Sequence, residues 1–177
     1  SKGVWLTASE MAFCRAEGAL AGWSNMGGSA KDLYEDGVKL SFEQWGAGSA
    51  TAYLADNTST EKNYVDPISE YGGDVSAVSN ITIKWDDSAT DEQKMERLIT
   101  QKWIAMFPNG QEGWSEIRRT GYPKVFPLAQ STDYSIQVAN RIPFDIDEAT
   151  NNKANYIKAV QLLKGNDDYA TKMWWQR

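Results

Sequence analysis

Hydrophobic and small residues in the first 45 positions recur at helical spacing. Thr7 and Glu10 have the spacing of a capping box, which predicts a helix that begins after Thr7 and continues to about Gly22. Alanines at positions 8, 12 and 16 form a ridge along it that lets a second helix approach closely. That second helix is predicted from Ser29 to Trp45, with positions 34, 38, 41 or 42, and 45 on one face. The pattern therefore indicates a helical hairpin.

This hairpin resembles a tetratricopeptide-type unit. Such units stack, and roughly three are needed to bury their faces. Only one is convincing in this sequence. We therefore expect the chain to be the C-terminal part of a larger protein, with the remaining repeats upstream of Ser1.

Residues 46–89 show almost no periodicity and are rich in Gly, Ser, Thr, Asp and Asn. Only residues 81–85 alternate as a short strand would. A loop of this length inside a compact domain is usually functional or disordered. Its aromatic residues favour order, because a solvated linker has few of them. Four of them stand out as Tyr53, Tyr64, Tyr71 and Trp85.

Helical spacing returns after this loop. Thr90 and Gln93 form a second capping box, opening a helix that directs Met95, Ile99, Trp103 and Met106 inward. The turn at positions 108–110 ends it, and a short helix over residues 114–119 stops at a glycine and a proline. A last helix is capped by residue 151 or 152 and ended by the glycine at 165. The sum is a mainly α fold with long ordered loops and little strand.

Composition narrows the possible chemistry. A chain of 177 residues is one domain's worth, and its net charge of −6 with a pI near 4.7 argues against nucleic-acid binding. There is no histidine and a single cysteine, which removes Ser-His-Asp catalysis, histidine-ligated zinc and a disulfide framework. Cys14 is expected to be a buried helical residue and not a lipid-attachment site, because no signal-like segment precedes it.

Several segments together resemble the SusD/RagB-like family of Bacteroidetes outer-membrane lipoproteins. Residues 101–123 combine aromatics, adjacent arginines, glycines and prolines, and residues 173–177 close the chain with a Trp-Trp pair. Residues 5–17, 22–28, 33–37, 141–144 and 165–168 match further family segments in the same order and spacing.

The resemblance implies the C-terminal portion of a single SusD-like domain. Within it, residues 1–46 would be the helical hairpin, residues 47–90 the long aromatic loop, and residues 91–177 the signature helices and chain end. It further implies non-catalytic, cell-surface binding of a nutrient, an oligosaccharide or polysaccharide, for uptake through a SusC-like TonB-dependent transporter. The protein would be lipid-anchored to the bacterial outer membrane through an upstream segment, with no cofactor.

The loop aromatics Tyr53, Tyr64, Tyr71 and Trp85 are the candidate ligand contacts. Exposed rings on a rigid scaffold can stack on pyranose faces, while nearby Asn and Asp side chains bind hydroxyls. Alternatively, the same rings attach the loop to the helical body. The loop carries no sugar-site signature, so the resemblance does not bring a ligand class with it.

A second set is interpreted as structural. Arg118 and Arg119 could clamp an anion, but pairing with a carboxylate and stacking on Trp114 or Tyr122 is favoured. The Trp-Trp pair could form a carbohydrate platform, but fixing the chain end is favoured. The set comprises Trp103, Trp114, Arg118, Arg119, Trp174 and Trp175.

One candidate metal site and two alternative functions remain. Acidic residues at 86, 87, 91 and 92 could bind calcium, but their spacing is not that of a calcium loop, and acids favour helix N-termini anyway, so no metal is expected. A glycoside hydrolase using two carboxylates is one alternative function. A tetratricopeptide-type protein-interaction adaptor is the other, although it leaves the aromatic loop unexplained.

Overall fold

The computed structural model describes residues 5–68, 73–126 and 138–176. Within them the chain is helical, and the β-type pairing consists of one isolated antiparallel bridge between Tyr64 and Val75. The mainly α expectation is therefore confirmed. The helices are α1 (Ala8–Leu20), α2 (Ala30–Trp45), α3 (Thr51–Ala55), α4 (Asp91–Ala105), α5 (Gly110–Thr120), α6 (Ile146–Asn151) and α7 (Lys153–Leu163).

Helices α1 and α2 pack closely along each other, and Ala12 and Ala16 of the predicted ridge are buried, whereas Ala8 is exposed. The contact is tightest where Gly37 faces Phe13, because a Cβ on Gly37 would lie 2.8 Å from the Phe13 ring. The Ser9 hydroxyl adds a 2.7 Å hydrogen bond to the Gly37 carbonyl. Thr7 and Ser29 cap the two helices as predicted.

Helix α4 lies against this pair and completes the core. Its predicted capping box is present, with Thr90 and Gln93 each accepting from the other's backbone N–H. Met95, Ile99 and Met106 are buried as expected. Met95 and Ile99 belong to a core cluster that further contains Phe13, Leu33, Tyr34, Val38, Trp85, Leu98 and Tyr122.

Two inward predictions are wrong, those for Cys14 and Trp103. Cys14 is exposed, because α1 meets the core through Ala12, Phe13 and Ala16 and position 14 lies off that face. Trp45 is half-exposed at the end of α2, past the part of that helix that contributes to the core. Trp103 is 40% exposed, because its indole lies over the Gly113 backbone of α5 and not in the core.

The predicted strand at residues 81–85 does not form, since its polar backbone groups find partners outside a ladder. Arg97 donates to the carbonyl of Thr82 at 2.9 Å, and the Tyr34 hydroxyl donates to the carbonyl of Ile83 at 2.6 Å. The N–H of Lys84 donates to the carbonyl of Asp56 at 2.8 Å. The short helices α3 and α6 were not predicted, and α7 ends one residue earlier than expected.

None of the helices in the described part of the chain is both long enough and apolar enough to cross a membrane.

Candidate functional site

A cavity of about 440 Å³ lies between the long loop, the outer side of α4 and the segment that follows α5. Tyr53, Trp103 and Phe126 give it aromatic walls, and Ile81 and Ile83 add aliphatic surface. Its hydrogen-bonding groups are few and spaced around these walls: Ser59, Thr60, Glu61, Ser79, Thr100, Gln101 and Lys124. Such a mixture of flat apolar surface and a few polar groups is typical of small-ligand sites.

Tyr53 is held rigidly in this wall by α3. Its hydroxyl donates to the Gln101 side-chain oxygen at 2.9 Å, and its ring packs against Phe42 with centroids 5.2 Å apart. Burial raises the pKa of the Tyr53 phenol, although the hydrogen bond to Gln101 opposes that shift. The side chain therefore presents a fixed, neutral ring.

The loop is attached to α4 by a polar network beside the cavity. Glu61 accepts from the backbone N–H groups of Val78 and Ser79 at 2.7 and 2.9 Å. The Ser79 hydroxyl donates to buried Glu96 at 2.6 Å, and the Lys124 ammonium lies 3.1 Å from the other oxygen of that carboxylate. These bonds hold Glu61, Val78 and Ser79 in place on α4, although these three residues belong to no helix or strand.

The other three loop candidates have different surroundings. Tyr64 is 47% exposed, with its ring 6.3 Å from that of Phe126, and so lies next to the cavity. Trp85 is only 7% exposed and packs against Tyr34, as the alternative in which the ring attaches the loop to the helical body would have it. Its indole N–H donates to Asp87 at 3.0 Å. Tyr71 lies outside the described residues.

The adjacent arginines make different contacts. Arg119 forms a two-pronged ion pair with Glu17 at 2.5 and 2.8 Å and a further bond to Glu116 at 2.7 Å. Burial alone would lower the pKa of Arg119, but the bonds to Glu17 and the charge of Glu116 outweigh it and raise that pKa. The buried ammonium of Lys102 also forms an ion pair with a Glu116 carboxylate oxygen 2.7 Å away. One network of ion pairs therefore joins α1, α4 and α5.

Arg118 lies between two indoles. Its guanidinium carbon is 4.1 Å from the centre of the Trp114 ring and 4.7 Å from that of Trp175. The Trp114 indole N–H donates to the carbonyl of Ala139 at 2.8 Å. The predicted stacking of an arginine on Trp114 is present. The second ring that Arg118 contacts is Trp175, whereas Tyr122 was the predicted alternative.

The chain end is held by Trp175 and Gln176, but Trp174 takes no such part. Gln176 donates to the carbonyl of Arg118 and to the side chain of Asn140, at 3.1 and 2.9 Å. The side chain of Trp174 is 90% exposed. The expectation that both indoles fix the chain end is therefore wrong for Trp174.

The carboxylate of Asp86, one of the four acidic residues near the start of α4, accepts hydrogen bonds from a residue close in sequence. Asp86 accepts from the Ser88 hydroxyl at 2.6 Å and from its backbone N–H at 2.9 Å. These bonds lower the pKa of the Asp86 carboxyl. Over residues 5–68, 73–126 and 138–176, no group of three or more Asp, Glu, Cys or His side chains is placed to hold a metal ion.

Sequence reasoning missed much of the cavity wall. Phe126, Ser79 and Lys124 were not singled out, and Trp103 was interpreted only as structural. The alternation at residues 81–85 was a usable signal, because Ile81 and Ile83 do share one surface. That surface lines the cavity and not a sheet.

Comparison with known proteins gives a consistent result. A sequence model described as SusD-like, "Susd and RagB outer membrane lipoprotein", matches residues 1–176. Among curated proteins no match was found.

Solved structures of similar proteins cover nearly the whole chain. A SusD-like protein from Bacteroides thetaiotaomicron is 48% identical with a TM-score of 0.83, covering 96% of this chain and 36% of its own. A chitin-binding SusD homolog from Flavobacterium johnsoniae is 47% identical with a TM-score of 0.82, over 97% of this chain and 36% of its own. A SusD homolog from Bacteroides vulgatus is 39% identical with a TM-score of 0.86, over 99% and 36%.

This chain thus spans little more than a third of the length of these relatives, each of which superposes on almost all of it. The helical hairpin, the residue 101–123 segment and the Trp-Trp pair all fall within the matched range. The chain belongs to the SusD-like family of outer membrane lipoproteins.

Proposed function

We propose that the protein is a non-catalytic, cell-surface binding protein that captures a glycan for uptake through a SusC-like TonB-dependent transporter. The observation that carries this proposal is membership of the SusD-like family together with a relative, 47% identical, that is described as chitin-binding. A β-linked amino-sugar oligosaccharide is accordingly the first ligand to test.

The chemistry of the cavity supports a glycan. Sugars present apolar C–H faces that stack on flat rings and hydroxyls that need hydrogen-bond partners. Tyr53 and Phe126 offer rings, and Thr100 and Lys124 offer polar groups at the same cavity. Tyr64 lies at its edge and could extend the stacking surface.

The number of carboxylates that line the cavity supports a binding protein better than a glycoside hydrolase. Glycosidases need two carboxyl groups about 5–9.5 Å apart on either side of the scissile bond. Among the described residues that line the cavity, Glu61 is the one carboxylate, and two backbone N–H groups already bind it. The hydrolase alternative therefore has no assembled acid pair at this site.

The proposed membrane attachment and transporter partnership are supported only by membership of the family. The family is described as outer membrane lipoproteins, which supports a lipid anchor and surface display. Co-purification of a large outer-membrane barrel protein from the producing cell, under mild detergent, tests the partnership.

The binding experiment uses the protein at the full length that its gene encodes. We expect calorimetric titration with chitin oligosaccharides, and with a panel of plant and host glycans, to give saturable heat for at least one of them. Chromatography of the same mixtures after long incubation should show no shortened products. Products would assign the protein to the hydrolases, and heat from none of the glycans would contradict the ligand class.

A matched pair of variants then locates the site. Tyr64→Ala removes an exposed ring beside the cavity and should weaken binding roughly tenfold, about 1.4 kcal/mol. Tyr169→Ala removes a comparably exposed ring from another part of the chain and should leave affinity unchanged. Equal affinity for Tyr64→Ala and the wild type would place the site away from this cavity.

A further inference from the structure

The cavity between the long loop and α4 contains a buried amide with an unused donor. Gln101 of α4 lines this cavity and is 8% exposed. Its side-chain oxygen accepts the Tyr53 hydroxyl at 2.9 Å, so the amide nitrogen is directed away from Tyr53. That nitrogen donates to no protein group in the parts of the chain that the structure describes. Ligand sites take their specificity from a few polar groups held in this way.

The amide nitrogen of Gln101 is accessible from the cavity. Among the described residues, the side-chain nitrogens that are fully enclosed and lack a partner belong to Arg97 and Arg118. The Gln101 nitrogen is not one of them, and the cavity is the space that Gln101 lines. A ligand that accepts no hydrogen bond there would leave this donor buried and unpaired, which is costly.

The residue before Gln101 supplies an acceptor. The Thr100 hydroxyl donates its one hydrogen to the carbonyl of Glu96 at 2.7 Å, so its oxygen can only accept a further bond. Thr100 lines the same cavity. One donor and one acceptor at successive positions of α4 therefore border the ligand space. A secondary amide, with one C=O and one N–H, carries the complementary pair.

Two isoleucines add a place for a methyl group. Ile81 and Ile83 line the cavity and are only partly buried in the structure. Aliphatic surface gains from covering a methyl group, whereas a hydroxyl or an ammonium group loses its hydration against it. The acetamido group of an N-acetylated amino sugar combines a carbonyl, an N–H and a methyl in one small substituent.

We infer that Gln101 determines the specificity of this cavity by donating to the carbonyl of an acetamido group on the bound glycan. Thr100 accepts the N–H of that group, and its methyl lies against Ile81 and Ile83. This inference rests on the proposed function, since it names the part of the glycan that the cavity distinguishes. A sugar with a free amine lacks the acceptor for Gln101 as well as the methyl.

A set of oligosaccharides that differ in one substituent tests the inference on the full-length protein. Oligosaccharides of N-acetylglucosamine, glucosamine and glucose, of equal length and β-linkage, carry an acetamido, an ammonium or a hydroxyl group at the same sugar carbon. Calorimetric titration should give an affinity for the acetylated oligosaccharide that is at least about tenfold higher than for the other two. Equal affinities, or heat only from glycans without an acetamido group, overturn this inference and leave glycan capture standing. Heat from no glycan at all overturns both.

A substitution that exchanges the donor for a carboxylate gives an independent readout. Gln101→Glu retains an oxygen for the Tyr53 hydroxyl, but it repels a carbonyl oxygen and attracts an ammonium group. It should weaken binding of the acetylated oligosaccharide roughly tenfold and strengthen binding of the amine-bearing one. Gln111→Glu makes the same change on an exposed turn of α5 outside the cavity and should leave both affinities unchanged. Equal weakening of both ligands by Gln101→Glu would mean that Gln101 is purely structural and would overturn the inference.

A milder variant covers the case in which Gln101→Glu does not fold. Tyr53→Phe retains the ring in the cavity wall but removes the hydroxyl that holds the Gln101 amide in one orientation. The preference for the acetylated over the amine-bearing oligosaccharide should then fall severalfold. An unchanged preference would contradict the role of the amide.

Discussion

At the scale of single residues, buried charges have the largest predicted effects on stability. Glu116 forms two ion pairs, one carboxylate oxygen with Lys102 and the other with Arg119. Burial alone would lower the pKa of Lys102, but its bond to Glu116 outweighs it and raises that pKa. The pair therefore stays ionised, and each partner depends on the other because water is excluded from both.

Neutralising Glu116 should therefore destabilise the protein strongly. Glu116→Gln removes the negative charge that compensates buried Lys102, and we expect a loss of about 3–5 kcal/mol in the free energy of unfolding. Urea denaturation followed by circular dichroism measures it. Glu112→Gln makes the same chemical change on an exposed turn of α5 and should cost less than about 0.5 kcal/mol. A loss below 1 kcal/mol for Glu116→Gln would mean that water reaches Lys102.

At the scale of elements, helix starts were predictable because their signals are local. Thr7, Ser29 and Thr90 cap helices in the structure as their sequence patterns indicated. Capping depends on residues within one turn of each other, so no tertiary information is needed to find it.

The exposure of side chains and the conformation of the long loop were less predictable, because both depend on residues that are distant in sequence. Trp103 satisfies the helical spacing of a core residue, yet its surroundings depend on where α5 crosses α4. Residues 81–85 alternate as a strand does, but Tyr34 and Arg97 bind their carbonyls from 49 and 15 positions away. Of the candidate site, Tyr53 was found because it is aromatic, whereas Phe126 joins it only through the path of the chain after α5.

The capping box of α4 gives a prediction at this scale. Thr90→Ala removes the acceptor for the N–H of Gln93, 3.2 Å away, and should cost about 1 kcal/mol of unfolding free energy. Thr90→Ser retains the hydroxyl and should remain within a few tenths of a kcal/mol of the wild type. Chemical denaturation of both variants measures the difference. Equal losses for the two would show that the Thr90 methyl group, and not its hydroxyl, matters.

At the scale of the whole molecule, the ionisable groups predict how stability changes with pH. The chain has no histidine, so it lacks the side chain whose ordinary pKa lies between pH 5 and 8. Hydrogen bonds from Ser59 and Thr58 hold the pKa of the Asp56 carboxyl well below its usual range. The pKa of Asp167 is also lowered, because bonds from Arg141 and the N–H of Phe144 outweigh the effect of burial.

Groups with lowered folded pKa values stabilise the folded state above their unfolded pKa and lose that contribution as pH falls through the folded value. The Asp carboxyls therefore predict a stability plateau between about pH 5 and 8 and a decline below about pH 4.

Glu10 acts in the opposite direction, since burial raises its pKa and its protonation favours folding. Glu10→Gln should make the acid decline steeper, and Asp56→Asn should make it shallower while lowering stability at pH 7. Urea midpoints measured from pH 3 to 8 test all three curves. A wild-type decline between pH 8 and 6, or the same acid slope in both variants, would show that other groups control the folding equilibrium.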